Sequence, residues 1–305
     1  MTFEQLLSFL TASETGSFTE AGRRLSQSQS SISQQIKSLE EEFGIPLFER
    51  AYRSLELTSG GKALLPYALR IRQEVESANS AMAELKGQVS GPLRIGASAT
   101  NGNYILPSML LALKANYPKL GITLCVANDA ILLGALQDGR VDILLLEGER
   151  PQHLDRRYEV EAFYEDELVV VKSPNFSVPE KITLEEIVKL PWLVRENGSG
   201  TRDHLMRQLQ NHSIHYEDIN VLMQISTIEA IKLALLQTDA VSYLSQLAIK
   251  KEIRSGQLDI VDLKDLNVKR QLWLVSPLKP YLTMPMKAFK KALFAYSEQD
   301  DTVSE

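Results

Sequence analysis

The 305-residue chain is predicted to be an α/β protein in three parts. These are a small N-terminal helical unit ending in a hairpin, one long helix, and a two-lobed α/β domain. Three observations predict this. Short apolar stripes of helical period crowd the first stretch up to Phe43. Apolar residues spaced four, three, four, three run from Leu64 to Leu85. From Ser90 onward, strand-like apolar runs alternate with helical ones.

Phe3, Leu6, Leu7 and Leu10 follow the i, i+3, i+4, i+7 rule of an amphipathic helix, and Gly16 is placed to end it. Ser17-Phe18-Thr19-Glu20 has the pattern of a capping box, in which Glu20 reaches back to the cap. Phe18, Ala21, Gly22 and Leu25 form the second stripe, and Ile32, Ile36, Leu39 and Phe43 the third. Ser26-Gln27-Ser28 leaves room only for a tight turn between them, the spacing of a helix-turn-helix. Ala21 and Gly22 are small enough to let the third helix cross closely.

The outer face of the third helix carries Ser30, Ser33, Gln34 and Lys37, with Gln29 and Ser31 at its start. Such side chains suit base edges and phosphates, although the same face would also suit plain solvent. The adjoining segment favours DNA. Ile45 to Thr58 reads as two short strands around a turn carrying Arg50 and Arg53, a wing able to reach the DNA backbone or minor groove. The expectation is a winged helix-turn-helix that binds double-stranded DNA.

The runs Gln29-Ser30-Ser31-Ile32-Ser33-Gln34-Gln35-Ile36, Leu39-Glu40, Phe43-Gly44, Leu47-Phe48-Glu49-Arg50, Arg53 and Leu57-Thr58-Ser59-Gly60-Gly61 resemble the signature of LysR-type transcriptional regulators, continuously from Phe3 to Ala68. The resemblance implies that Ser33 and Gln34 face the major groove and that Arg50 and Arg53 contact the wing side. This chain departs from the family at Ser30 and Ser31, where proline and alanine are usual, and at Gln34, where many members carry a basic residue.

A net charge of -6 excludes a protein that holds DNA by bulk charge alone. The bases of the first part fall on helix two, helix three and the wing, while Glu40 to Glu42 close the far end of helix three. Weak binding per monomer is therefore expected, and with it a need to dimerise. Leu64, Ala68, Ile71, Val75, Ala78, Met82 and Leu85 supply an a/d repeat for pairing with a second copy; a helix packed on its own domain is the alternative. Thr58 is the expected N-cap, and Pro66 lies near the start. A twofold dimer, or a tetramer built from it, would meet a palindromic operator, with RNA polymerase as a further partner.

The second part predicts a mainly parallel sheet. Strands are expected at Leu93–Ala97, Ile122–Val126, Val141–Leu146, Leu168–Val171, Trp192–Arg195, Val221–Ile225, Ala240–Tyr243 and Leu272–Val275. Helices are expected at Tyr104–Asn116, Ile131–Asp138 and Thr201–Gln210. The last strand would return to the first lobe. Ligands of such sheets bind at the carboxyl ends of strands. There the chain places Ser98-Ala99-Thr100-Asn101, Glu147, Asn197-Gly198-Ser199-Gly200-Thr201-Arg202 and Ser226-Thr227. Each loop alone reads first as an ordinary helix cap, but three in equivalent places of two lobes, with hydroxyls and free amides at helix N-termini, outline an anion site with Arg195 and Arg202 as clamps. Gly91 to Tyr296 also resembles the periplasmic-binding-protein-like sensor domain of LysR regulators. The Arg195–Arg202 run is similar to a subgroup controlling sulphur assimilation or carbon fixation. This implies a small anionic effector, with a sulphur oxyanion among the candidates and a carboxylate or neutral metabolite as alternatives.

The expected parts are 1–58, 59–89 and 90–305, the last with lobe I at 91–162 and 268–305 and lobe II at 163–267. Gly198-Ser199-Gly200 lacks the third glycine of a dinucleotide fingerprint, and no P-loop occurs. His212 and His215 have no third metal ligand nearby, and His153 and His204 have no catalytic partner in sequence. No cofactor, metal or enzymatic activity is expected. The start of the chain lacks a basic signal region, and no apolar run approaches a membrane span of about 20 residues, so a cytoplasmic protein is expected and an exported solute-binding protein is disfavoured. The lone Cys125 is assigned a packing role inside a strand.

Overall fold

The computed structural model describes residues 1–50, 55–86, 88–152, 154–263, 266, 268–278 and 282–301. It divides into two compact units, Met1–Gln88 with Gln137–Arg140, and Val89–Leu136 with Val141–Glu305.

The first unit contains α1 (Phe3–Thr15), α2 (Phe18–Leu25), α3 (Gln29–Phe43), β1 (Phe48–Arg50), β2 (Leu55–Leu57) and α4 (Ser59–Glu84). Each helix starts where a hydroxyl covers an orphan amide: Thr2 on Gln5, Ser17 on Glu20, Ser28 on Ser31 and Thr58 on Gly61. Gly16 and Gly44 end α1 and α3 in the left-handed conformation. The complete capping box is on α1, between Thr2 and Gln5. The box expected at Ser17 is only half made. Glu20 turns its carboxylate to Arg23, at 2.6 and 2.9 Å, because a guanidinium one turn along offers it two charged donors.

Leu6, Phe9, Leu10, Ala21, Ile32, Ile36, Leu39 and Leu47 close the core of this unit. Gly22 is where α2 meets the turn into α3. A Cβ there would lie 2.7 Å from the Gln27 carbonyl oxygen and 3.3 Å from the Gln29 nitrogen, both backbone atoms that cannot swing aside. Gly22→Ala is expected to destabilise this unit by about 1–3 kcal/mol. Urea unfolding of the full chain would show the early transition moving while a later one stays; an unmoved early transition would contradict the close crossing.

The a/d residues of α4 divide into two groups. Ala68 is fully buried in its own domain, and Leu64 and Ile71 pack against the same core with part of their surface exposed. Met82 and Leu85 are 58% and 80% exposed, and Ala78 is exposed too. The expectation that all seven residues form one pairing seam is corrected for Ala68, which its own core covers completely, while Leu64 and Ile71 are half-buried.

The second unit runs β3 (Gly91–Ala97), a π-helical turn (Asn101–Ile105), α5 (Leu106–Asn116), β4 (Leu120–Val126), α6 (Asp129–Gln137), β5 (Ile143–Leu146) and β6 (Tyr158–Lys172). It continues with α7 (Leu184–Ile187), β7 (Trp192–Arg195), α8 (Gly200–Asn211), β8 (Val221–Ile225), α9 (Ile228–Leu235), β9 (Val241–Ser245), α10 (Gln246–Arg254), β10 (Asp259–Val261), β11 (Val268–Pro277) and α11 (Met284–Asp301). One sheet carries the order β4-β3-β5-β11-β6-β9-β7-β8, with β10 also paired to β6. Within each half the pairs β3/β4, β3/β5, β7/β8 and β7/β9 are parallel.

The centre differs from the expected parallel sheet. β6 and β11 run antiparallel to each other from Leu168↔Val268 to Tyr158↔Pro277, β11 is antiparallel to β5, and β6 to β9. The chain leaves the first half along β6 and returns along β11, so the two crossings necessarily oppose. Apolar cores lie on both faces of each half, around Ile95, Ile143 and Phe289 in one and Val170, Trp192 and Tyr243 in the other.

Cys125 is exposed, which corrects the packing role. β4 is an edge strand: Ile122 and Leu124 face the α5 and α11 side, so Cys125 points the other way. No helix among the described residues is long and apolar enough to cross a membrane.

Candidate functional site

The face of α3 is built from its N-terminus. Ser28 caps the helix at 3.1 Å to the Ser31 amide, and Ser30 shares a 2.8 Å hydrogen bond with Ser28. The Ser31 hydroxyl donates to Gln27 Oε1, which ties the turn to the helix. Gln29, Ser30, Gln34 and Lys37 are exposed, and Ser31 and Ser33 are half-buried at the edge of the same face. Lys37 lies 3.7 Å from Glu41, an exposed pair of small energetic weight. Glu40 anchors the hairpin, since its Oε1 accepts from the Leu47 and Phe48 amides at 2.7 and 3.2 Å. Arg50 ends β1, but its side chain and the whole of Arg53 lie outside the described residues, as does His153.

In the second unit the loops after β3, β5 and β7 converge on one buried carboxylate. Glu147 is 2% exposed. Its Oε2 accepts from the Thr100 amide at 3.1 Å and faces Arg270 Nη2 at 3.4 Å; its Oε1 accepts from the Thr201 hydroxyl at 3.4 Å. Arg270, on β11, is the hub. It donates to the Thr100 and Thr201 hydroxyls, each at 3.0 Å, and through Nε to Asp166 at 2.9 Å. Asp166, on β6, also accepts from the Ser245 hydroxyl at 2.6 Å. The fit is close: a Cβ on Gly200 would lie 2.7 Å from the Gly148 nitrogen and 2.9 Å from Glu147 Cγ. The void beside Arg195, Thr201 and Tyr243 is about 10 Å³, barely one water.

The electrostatics follow from burial without water. Desolvation works against charge on Glu147, but Arg270 and the Thr100 hydrogen bond outweigh it and hold the carboxyl below its usual range. Burial likewise favours neutral Arg270, but Glu147 and Asp166 outweigh it and keep the guanidinium charged. Asp129, at the start of α6, accepts from the Gly148 amide at 2.9 Å. Burial, then the charge of Glu147, push its carboxyl up to about 7.

Several expected residues join this cluster and others do not. Thr100, Glu147 and Thr201 do. Ser98 and Asn101 support it, with the Asn101 amide donating to Ser98 Oγ at 2.8 Å, while Ala99 packs against the second half. Gly198, Ser199 and Gly200 form the turn into α8. Asn197 is exposed. Arg202 is not a clamp here: it donates to the Arg195 carbonyl at 3.1 Å and Gln224 Oε1 at 2.8 Å, and stacks over Tyr216. Its neighbours in the second half offer it acceptors and an aromatic face. Arg195 pairs with Glu196 at 2.9 Å. Ser226 and Thr227 are exposed, and Thr227 uses its hydroxyl to cap α9, so the third loop does not join the cluster among the described residues. Sequence reasoning missed Arg270, Asp166 and Asp129. Local sequence carries little signal for them: Asp166 and Arg270 sit among other charged residues on β6 and β11, and Asp129 opens α6, so only the packing shows which charges are buried together.

Among the described residues, no His, Cys, Asp or Glu cluster could hold a metal ion. His204 is buried with its Nδ1 3.3 Å from the Tyr243 hydroxyl, and burial pushes it down to about 4, so it is neutral.

A helix-turn-helix with an exposed polar helix face, together with an α/β unit whose halves meet at a buried charged cluster, has the composition of a ligand-responsive regulator. Family comparison agrees with that class. Residues 3–62 match the "Bacterial regulatory helix-turn-helix protein, lysR family" and residues 86–297 the "LysR substrate binding domain". The chain belongs to the LysR family of transcriptional regulators and carries a helix-turn-helix DNA-binding domain and an effector-binding domain. It is 31% identical over 294 residues to a probable RuBisCO transcriptional regulator of Phaeodactylum tricornutum, covering 96% of each chain. It is 32% identical over 299 residues to the HTH-type transcriptional activator CmpR of Synechocystis, covering 97% of this chain and 96% of that one. The solved regulatory domain of Synechocystis CcmR in complex with 2-PG superposes with a TM-score of 0.61 at 24% identity, covering 68% of this chain and 98% of that one.

Proposed function

We propose that this regulator senses a small anionic metabolite held between the two halves of its effector domain, and that the bound state alters how it engages a palindromic operator. The observation that carries this reading is the convergence at Arg270. A charged guanidinium on a crossing strand touches the Thr100 loop of one half and the Thr201 helix start of the other. Beside it, Arg195 Nη1 and Ser199 Oγ are buried without a protein partner. Donors at helix starts, two arginines and little exposure form the chemistry that receives an oxyanion. The 2-PG complex of CcmR supports an anion of that general kind, with sulphur oxyanions and carboxylates in the same class.

In this reading residues 1–58 bind DNA through Gln29, Ser30, Ser31, Ser33, Gln34, Lys37, Arg50 and Arg53. Residues 59–89 pair with a second copy through Leu64, Ile71, Val75, Ala78, Met82 and Leu85, and 90–305 sense the effector. The protein acts in the cytoplasm as a homodimer or tetramer, with RNA polymerase as the downstream partner. An effector that binds one arrangement of the halves better than another shifts the population of dimers on DNA.

The test is the melting temperature of the full chain against sulphite, sulphate, thiosulphate, phosphate, 2-PG and common carboxylates. A ligand at about 100 times its Kd stabilises the native state by about 2.7 kcal/mol. A selective shift that Ser199→Ala diminishes is expected; no shift with any anion would sink the anionic reading.

A further inference from the structure

Glu147 sits where an anion between the halves would be received. The Thr100 amide, the Thr201 hydroxyl and the Arg270 guanidinium are the donors an oxyanion seeks, and each already faces this carboxylate. Other carboxylates surround it: Asp129 on α6 and Asp166 on β6. The positive charges facing it are Arg270 on β11, shared with Asp166, and Arg195 on β7, paired with Glu196. An added anion without a proton would place like charge beside Glu147 where water does not screen it.

The unpartnered atoms point the same way. Arg195 Nη1 is a donor, Asn101 Oδ1 and Asp129 Oδ1 are acceptors, and Ser199 Oγ can be either; all are buried without a protein partner. Three of them belong to residues that neighbour Glu147 or its partners, and the charge of Arg195 acts on Glu147 itself. Asn101 follows Thr100, Ser199 precedes Thr201 by two, and Asp129 accepts from Gly148. Buried acceptors and donors on residues around Glu147 suit a ligand that both accepts and donates.

We propose that the cleft takes an oxyanion that is itself a hydrogen-bond donor, singly protonated or hydroxyl-bearing, and that Glu147 is the residue that rejects an anion lacking a proton. This rests on the anionic reading above. The ligand's O–H donates to Glu147 or Asp129 Oδ1, while its charged oxygens accept from Arg195, Ser199 and Arg270. Glu147 thus determines specificity by what it cannot tolerate.

Matched pairs of anions test this on the full chain by calorimetry at neutral pH: inorganic phosphate, whose hydrogenphosphate form keeps a proton, against sulphate, and glycolate against acetate. In the wild type at least one donor-bearing member should bind about a hundredfold or more tighter than its partner. In Glu147→Gln, the donor-less member should gain affinity and narrow that ratio. Sulphate or acetate binding the wild type as tightly as its partner overturns the proposal and leaves the anionic reading standing. Sulphate bound by Glu147→Gln alone supports it. If no anion of either pair binds either protein, this proposal falls, while the anionic reading is decided by the wider melting panel. Should Glu147→Gln fail to fold, the wild-type ratios still decide.

Discussion

Arg270→Met is expected to destabilise the effector domain by about 3–5 kcal/mol. The side chain is 2% exposed and its partners Glu147 and Asp166 are 2% and 0% exposed. Removing the guanidinium strands two buried carboxylates, with only Arg195, itself paired to Glu196, left to face Glu147, and solvent cannot reach in to compensate. For a domain of this size the loss corresponds to a melting temperature lower by roughly 10 °C. The cost comes from stranded charge rather than lost volume, since methionine fills much of the same space. The triple variant Arg270→Met, Glu147→Gln, Asp166→Asn should therefore recover most of the stability. If the triple variant is as unstable as the single one, shape at β11 and not charge is what Arg270 supplies.

The second large effect is a pH dependence. The Asp129 carboxyl, pushed up to about 7 by burial and by Glu147, titrates near about 4 in the unfolded chain. Between those values the native state holds the proton more tightly. The stabilisation from that proton is complete below about pH 4 and is lost as pH rises through about 7. Three pH units correspond to about 4 kcal/mol. In Asp129→Asn the penalty is absent, while the amide oxygen still accepts from Gly148. Unfolding free energies of both proteins, measured from pH 4 to pH 8, should thus diverge in favour of the variant by up to about 4 kcal/mol. His204, held near 4 by burial, works with the opposite sign on the acid side, but it is present in both proteins and cancels in the difference. A difference that stays flat across this window would show that Asp129 is ionised throughout.

These two residues mark the boundary between what local sequence determines and what it leaves open. The DNA-binding unit was legible because its information is local. Apolar spacing, hydroxyl caps at Ser17 and Thr58, and the small residues at Ala21 and Gly22 act within a turn or two of themselves. The strand-end loops were legible for the same reason, since a strand followed by a capped helix is a local pattern. Their relation was not. Arg270 lies 170 positions from Thr100, 123 from Glu147 and 104 from Asp166, and periodicity says nothing about which strand ends meet.

By itself the sequence determined the family, the helix-turn-helix, the alternating α/β unit and the presence of Thr100, Glu147 and Thr201 at strand ends. The tertiary structure alone decided the antiparallel crossing of β6 and β11, and with it the burial of Arg270 among three carboxylates. It also turned Cys125 outward, split the α4 repeat between its own core and an exposed end, and sent Arg202 and the Thr227 loop elsewhere. The reason is common to all of these. A residue's environment is set by the elements packed against it, and those come from distant parts of the chain.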